Sequence, residues 1–190
     1  MAKMKKGRII LESERIDLTI KRLCYNIIES HDDHDDICLI GIQPRGIHLA
    51  DRIYAGLTEI SAFDEIHYGK LDITFYRDDF RKRDTPLKAS STEIDFLVEN
   101  KIVILIDDVL YTGRTVQAAL TALQDFGRPK RVELLSLIDR RFNRHLPIKS
   151  DYVGMTVDAL NEAYVKVNWA ELDGINNVLL FANKEEASRK

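Results

Sequence analysis

The segment Val103 to Thr115 reads V-I-L-I-D-D-V-L-Y-T-G-R-T, and its residue types suggest a chemistry before any fold is considered. An apolar run rich in β-branched residues drops into two adjacent acids, Asp107 and Asp108, and a short Thr-Gly turn follows. That order describes a buried strand, carboxylates at its C-terminal edge, and an anion cradle at a helix N-terminus. Two acids can grip a diol while the turn amides grip a phosphate, and a phosphorylated sugar presents both. The bland alternative is a pair of acids that caps the next helix and is solvated at the strand end. The Thr-Gly-Arg-Thr that follows counts against it. Thr112 and Thr115 offer hydroxyls, and Gly113 lets the backbone approach a ligand closely. Val109, Leu110, Tyr111 and Arg114 complete the candidate sugar-phosphate segment.

A second candidate is the turn Gln43-Pro44-Arg45-Gly46. Arg45 supplies cationic donors suited to phosphate oxygens, and Gly46 permits a tight backbone approach. Alone this would be an ordinary Pro-Gly turn. It gains weight because it closes an apolar strand, as the paired acids do.

These groups need elements to hold them. Ile16 to Ser30 has helical spacing, with Ile16, Ile20, Leu23 and Ile27 on one stripe. Ile37 to Ile42 reads as a strand and Ile47 to Leu57 as a helix. Leu71 to Tyr76 alternates like a strand, and Arg77 to Thr92 has no period and reads as a loop. Ile102 to Ile106 is a central strand, Thr115 to Phe126 a helix, and Val132 to Ile138 a strand ending at Asp139-Arg140. Tyr152-Val153, Tyr164 to Val167 and Val178 to Phe181 look like short strands. Strands alternating with helices predict a mostly parallel sheet with helices on both faces, whose ligands lie beyond the C-terminal strand ends. Arg45, Asp107 and Arg140 all fall there.

The chain has 190 residues, 45% hydrophobic and 31% charged, which predicts one globular domain spanning 1–190. No stretch is apolar enough to span a bilayer, and Met1 to Arg8 lacks the apolar core of a secretory signal. Cys24 and Cys38 sit in apolar contexts and read as reduced thiols, so a cytoplasmic location is expected. A net charge of −3 gives no global drive toward nucleic acid, and His31-Asp32-Asp33-His34-Asp35-Asp36 would repel phosphates.

The thirteen-residue segment resembles the signature of type I phosphoribosyltransferases, which bind phosphoribosyl pyrophosphate (PRPP). The likeness sharpens with Leu71 to Asp79, Phe126-Gly127-Arg128-Pro129, Leu137-Ile138-Asp139-Arg140, Leu146-Pro147-Ile148 and Asp151-Tyr152-Val153-Gly154. These are similar to the PyrR family, in register from about Ile37 to Asp173. The resemblance implies a type I phosphoribosyltransferase fold with a small C-terminal hood of short strands. It implies uracil phosphoribosyltransferase activity, with Mg²⁺ carried by PRPP rather than by protein ligands. It also implies attenuation of pyrimidine operons through UMP-dependent mRNA binding, and a homo-oligomer, dimer or larger.

Carried onto this chain, Asp107 to Thr115 would hold the ribose phosphate. Pro44, Arg45 and Gly46 would form the pyrophosphate loop, in which an unusual cis peptide would fall between Pro44 and Arg45. Arg140 and the strand near Val165 would face the base. A lid over Arg77 to Thr92, with Arg77 and Arg83 among its cations, would exclude water from a cationic ribosyl transition state. Tyr111 favours a pyrimidine. Hypoxanthine-guanine enzymes carry an acid at this position to serve a purine nitrogen, and a phenol accepts that proton poorly at neutral pH.

Three departures stand out. Asp139 to Pro147 is one residue longer than the family's stretch, Met155 replaces a lysine, and Ser30 replaces a base. The last two remove phosphate contacts, which dominate RNA affinity, and so count against the RNA half of the function. Two alternatives stay open: an RNA-binding attenuator with a vestigial nucleotide site, and a purine phosphoribosyltransferase.

Overall fold

The computed structural model describes residues 7–78, 89–159 and 162–188. Strand β1 (Arg8–Glu12) leads into helix α1 (Ser13–Ser30), followed by β2 (Ile37–Ile42), α2 (Gly46–Ile60) and β3 (Ile66–Leu71). Next come β4 (Ile102–Leu110), α3 (Arg114–Leu123), β5 (Arg131–Arg140) and β6 (Tyr152–Val157). The chain closes with β7 (Tyr164–Asn168), the short α4 (Ala170–Asp173), β8 (Asn177–Phe181) and α5 (Lys184–Ser188).

Five strands form the main sheet in the order β3-β2-β4-β5-β6, with every neighbouring pair parallel. All six residues of β2 are buried, as a continuous apolar strand requires when helices cover both faces of a parallel sheet. On one face α1 and α2 pack Ile16, Leu23, Ile27, Leu49, Ile53 and Leu57 against Leu39, Ile104 and Ile106. On the other, α3 packs Val116, Ala119 and Leu123 against Ile40, Val103 and Leu105. The period-2 alternation of each strand thus feeds two separate apolar layers.

From β2 the chain crosses outward to β3 on one side and returns to β4 on the other. The connections leaving β2 and β4 therefore diverge, and their carboxyl ends border a crevice of the kind that binds ligands in such sheets. Both sequence candidates, the turn after β2 and the acids of β4, border that crevice.

Several elements differ from expectation. Leu71 ends β3 instead of starting a strand, and Thr74–Tyr76 is a 3-10 turn. The Asp72 carboxylate accepts bonds from the Thr74 amide (2.9 Å) and hydroxyl (2.6 Å), and this local competition stops the extended chain. Asp107-Asp108 lie inside β4, which runs on to Leu110, whereas β5 ends at Asp139-Arg140 as expected. The strand at Tyr152 runs on to Val157 and joins the main sheet alongside β5. The hood is an antiparallel sheet of β7, β8 and β1, with β1 supplied by the other end of the chain. Among the described residues no helix is long and apolar enough to cross a membrane.

Candidate active site

Asp107 and Asp108 are each 8% exposed at the end of β4. Asp107 accepts a bond from the Asp108 amide at 3.0 Å. Burial drives the Asp107 carboxyl well above the usual carboxylate range, and the charge of Asp108 pushes it further. The Asp108 amide and the charge of Arg77 offset this only in part. Burial also raises Asp108, with Arg45 opposing. Two buried acids with so little compensation make an electron-rich edge that a diol can satisfy.

Gly46, the first residue of α2, explains how this edge meets the neighbouring turn. A Cβ there would lie 2.5 Å from the Ile106 carbonyl oxygen and 3.0 Å from the Asp107 Cα. Only glycine lets the start of α2 approach β4 so closely. Arg45 precedes it and sends its guanidinium across the crevice. Its Nε lies 3.4 Å from Asp108 Oδ2. Its Nη2 donates to Asp173 Oδ2 at 2.7 Å and to the Val167 carbonyl. The cis peptide bond of this turn is Gln43–Pro44, not Pro44–Arg45 as expected. The bond preceding a proline nitrogen is a tertiary amide, in which the trans preference is small. Gln43 then ties the turn to the loop beyond β3, through its Nε2 to the Ser91 carbonyl (2.7 Å).

Across the crevice, the turn after β4 carries Tyr111, Thr112 and Gly113. Gly113 caps α3 with φ +90°, a conformation that favours glycine. It also packs under Ile148, which a Cβ would meet at 3.2 Å. The first amides of α3, at Arg114 and Thr115, therefore start from a backbone bent to present them. Val109 is partly buried, while Leu110 is 2% exposed and anchors the turn in the core. The loop after β5 braces the same turn: the His145 amide donates to the Thr112 carbonyl (3.0 Å), and Arg144 binds both the Tyr111 carbonyl and Asp139.

Arg140 sits over the Tyr111 ring, 3.6 Å from its centroid. Its Nη2 donates to the Ala163 carbonyl (2.6 Å), whereas its buried Nε finds no partner among the described residues. Burial lowers this guanidinium from its ordinary value. Val165 is 4% exposed and its side chain belongs to the apolar core. Arg77 lies near enough to influence Asp107. Arg83, with Arg81, Lys82 and Lys88, lies outside the described residues.

The family described as "Phosphoribosyl transferase domain" matches residues 8–172. A protein of Desulfosudis oleivorans named Bifunctional protein PyrR is 44% identical over 177 residues, covering 93% of this chain and 97% of that one. One of Elusimicrobium minutum with the same name is 39% identical over 179 residues, covering 94% and 99%.

The chain belongs to the PyrR family of phosphoribosyltransferases.

Solved hypoxanthine phosphoribosyltransferases share the fold of this PyrR-family chain. The Staphylococcus aureus structure is 19% identical with a TM-score of 0.66, covering 96% of this chain and 94% of that one. One from Trypanosoma cruzi is 14% identical with a TM-score of 0.68, covering 95% and 94%. For a PyrR-family member, the residues that sequence reasoning missed are those contributed from a distance. Asp173 reaches Arg45 from the hood, and Asp72 holds the base of the loop after β3 by accepting from the Ser90 amide at 2.8 Å. No local period marks either residue as a contact of the crevice, although Asp72 falls within the Leu71 to Asp79 stretch of family likeness.

Proposed function

We propose that the protein transfers the phosphoribosyl group of PRPP to uracil, giving UMP and pyrophosphate. The observation that supports this reading is the convergence at one crevice of three groups: two buried acids, a glycine-bent helix start, and Arg45 in contact with Asp108. Asp107 and Asp108 accept the ribose 2- and 3-hydroxyls. The amides and hydroxyls of Thr112 to Thr115 hold the 5-phosphate. Arg45, with the close backbone approach at Gly46, takes the pyrophosphate. Mg²⁺ arrives as part of the PRPP chelate and lowers the charge on the leaving group.

The bond from ribose C1 to pyrophosphate breaks as uracil N1 bonds to C1, through a cationic, oxocarbenium-like state, and the N1 proton leaves to water or to the departing pyrophosphate. Nothing in this step needs a covalent nucleophile. The protein contributes position and electrostatics: the acids pin the ribose, Arg45 faces the developing negative charge, and the turn fixes the far end of the sugar. Arg140 and Tyr111 form the wall toward the base. The free Arg140 Nε is a buried donor suited to a base carbonyl, which uracil offers.

Control of pyrimidine genes through mRNA is the second activity that family likeness implies. The cleft that Arg22, Arg131 and Lys149 line, about 720 Å³, is also lined by Glu29, Glu133 and Asp151. Arg131 is paired with Glu133 at 2.7 Å, and Arg144 is turned inward to Tyr111 and Asp139. Two cations on this side, Arg131 and Arg144, are thus engaged within the chain and not directed at RNA phosphates, so the catalytic reading is the better supported of the two.

Replacing both acids, Asp107→Asn with Asp108→Asn, should abolish PRPP binding in calorimetry while circular dichroism stays native. Retained PRPP affinity would refute the site, and hypoxanthine outperforming uracil in a panel of bases would refute the pyrimidine reading.

A further inference from the structure

On the reading that Arg45 and Asp108 serve PRPP, the hood contributes a group of its own. Asp173 closes α4, and its side chain is 19% exposed. It is held independently of the crevice: Oδ2 accepts from the Trp169 amide at 3.1 Å, and Oδ1 from Lys166 Nζ at 3.3 Å. Burial alone would raise this carboxyl, but Arg45, the Trp169 amide and Lys166 outweigh it and leave it below the usual range. Asp173 is thus a charged, anchored acceptor facing the pyrophosphate turn from 128 residues away in sequence.

Arg45 lies between two carboxylates. Nη2 is taken by Asp173 at 2.7 Å and by the Val167 carbonyl, and Nε makes only a long contact of 3.4 Å with Asp108. A guanidinium beside a lone carboxylate settles into a bidentate pair with two short parallel bonds. Asp108 does not receive that pair, because the hood holds Nη2 on the other side. We propose that Asp173 is a positioning residue for the pyrophosphate grip. It keeps Arg45 from closing onto Asp108, so that Arg45 stays open to the leaving group and Asp108 to the ribose.

With a neutral residue at 173, Arg45 turns to its remaining acid, and PRPP must then break a short bidentate pair to reach either group. Asp173→Asn keeps the shape and should raise KM for PRPP about tenfold, the scale of one charge-assisted hydrogen bond. KM for uracil should stay within about twofold, and kcat should move less than the PRPP KM. Asp173→Glu should recover part of the loss. In an Arg45→Gln background, Asp173→Asn should add nothing, since the guanidinium it acts through is gone. A merely structural role would lower thermal stability and depress every parameter alike, with additive effects in the double variant. That pattern, or unchanged or tighter PRPP binding in Asp173→Asn, overturns the proposal. Wild-type protein that neither binds nor consumes PRPP would refute the underlying reading, and this inference with it.

Discussion

Gly46 is where a single methyl group should separate packing from catalysis. A Cβ at this position would stand 2.5 Å from the Ile106 carbonyl oxygen, about 0.9 Å inside ordinary contact at 3.4 Å, and 3.2 Å from Asp107 Oδ1. The obstacle is backbone of a central strand, so relief must come from parting α2 and β4 by something near that distance. Overpacking of this kind costs about 1–3 kcal/mol. For a chain of this length that is a fall in Tm of about 2–12 °C in Gly46→Ala. The catalytic loss should be disproportionate, because the same displacement moves Arg45 away from Asp107 and Asp108. Misplacement of about 1 Å in a positioned site costs roughly 100-fold in rate. Gly154→Ala is the control: its Cβ would press on the backbone oxygen of Leu137, between β5 and β6, away from the crevice. Scanning calorimetry and steady-state kinetics with varied PRPP should show both variants destabilised and only Gly46→Ala strongly impaired in kcat/KM. Equal impairment of the two, or a Gly46→Ala enzyme with normal PRPP kinetics and a lowered Tm, would refute the close-approach argument.

Two further expectations concern buried ionisable groups. The Asp107 carboxyl is raised in the folded chain, chiefly by burial and then by Asp108, so its contribution to stability is present below the usual carboxylate range and is lost as pH rises through the raised value. Asp107→Asn should therefore melt a few degrees above wild type at neutral pH, the advantage fading in acid; a difference that ignores pH would contradict the cause given. Burial pushes the thiols of Cys24 and Cys38 up to about 11 and about 12, and both are free. Neither should react with a disulfide reagent at pH 8 until denaturant is added; rapid native labelling of Cys24 would show that the α1–α2 layer opens readily, and of Cys38 that the layer under α3 does.

The thirteen residues from Val103 to Thr115 were legible because each feature of the site there is local. A continuous apolar run makes a doubly covered strand, a glycine adopts a positive φ, and a helix start exposes amides whatever surrounds it. Pro44-Arg45-Gly46 was legible for the same reason, although its cis bond falls one position earlier than expected. The strand expected at Leu71 to Tyr76 failed because alternation was read without the Asp72 side chain, which captures Thr74. The pairing of Arg144 with the Tyr111 carbonyl and Asp139 was not legible, because it depends on how the loop after β5 folds back.

By itself, then, the sequence determined the parallel sheet, the paired acids on its central strand and the glycine turn that follows them, because period, turn chemistry and charge act over a few residues. Which distant charges meet was decided only by the tertiary structure. Asp173 faces Arg45, and Arg140 covers Tyr111, because β1 and β8 close the hood and β5 runs beside β4. Such pairings depend on strand order and register, which no local spacing encodes.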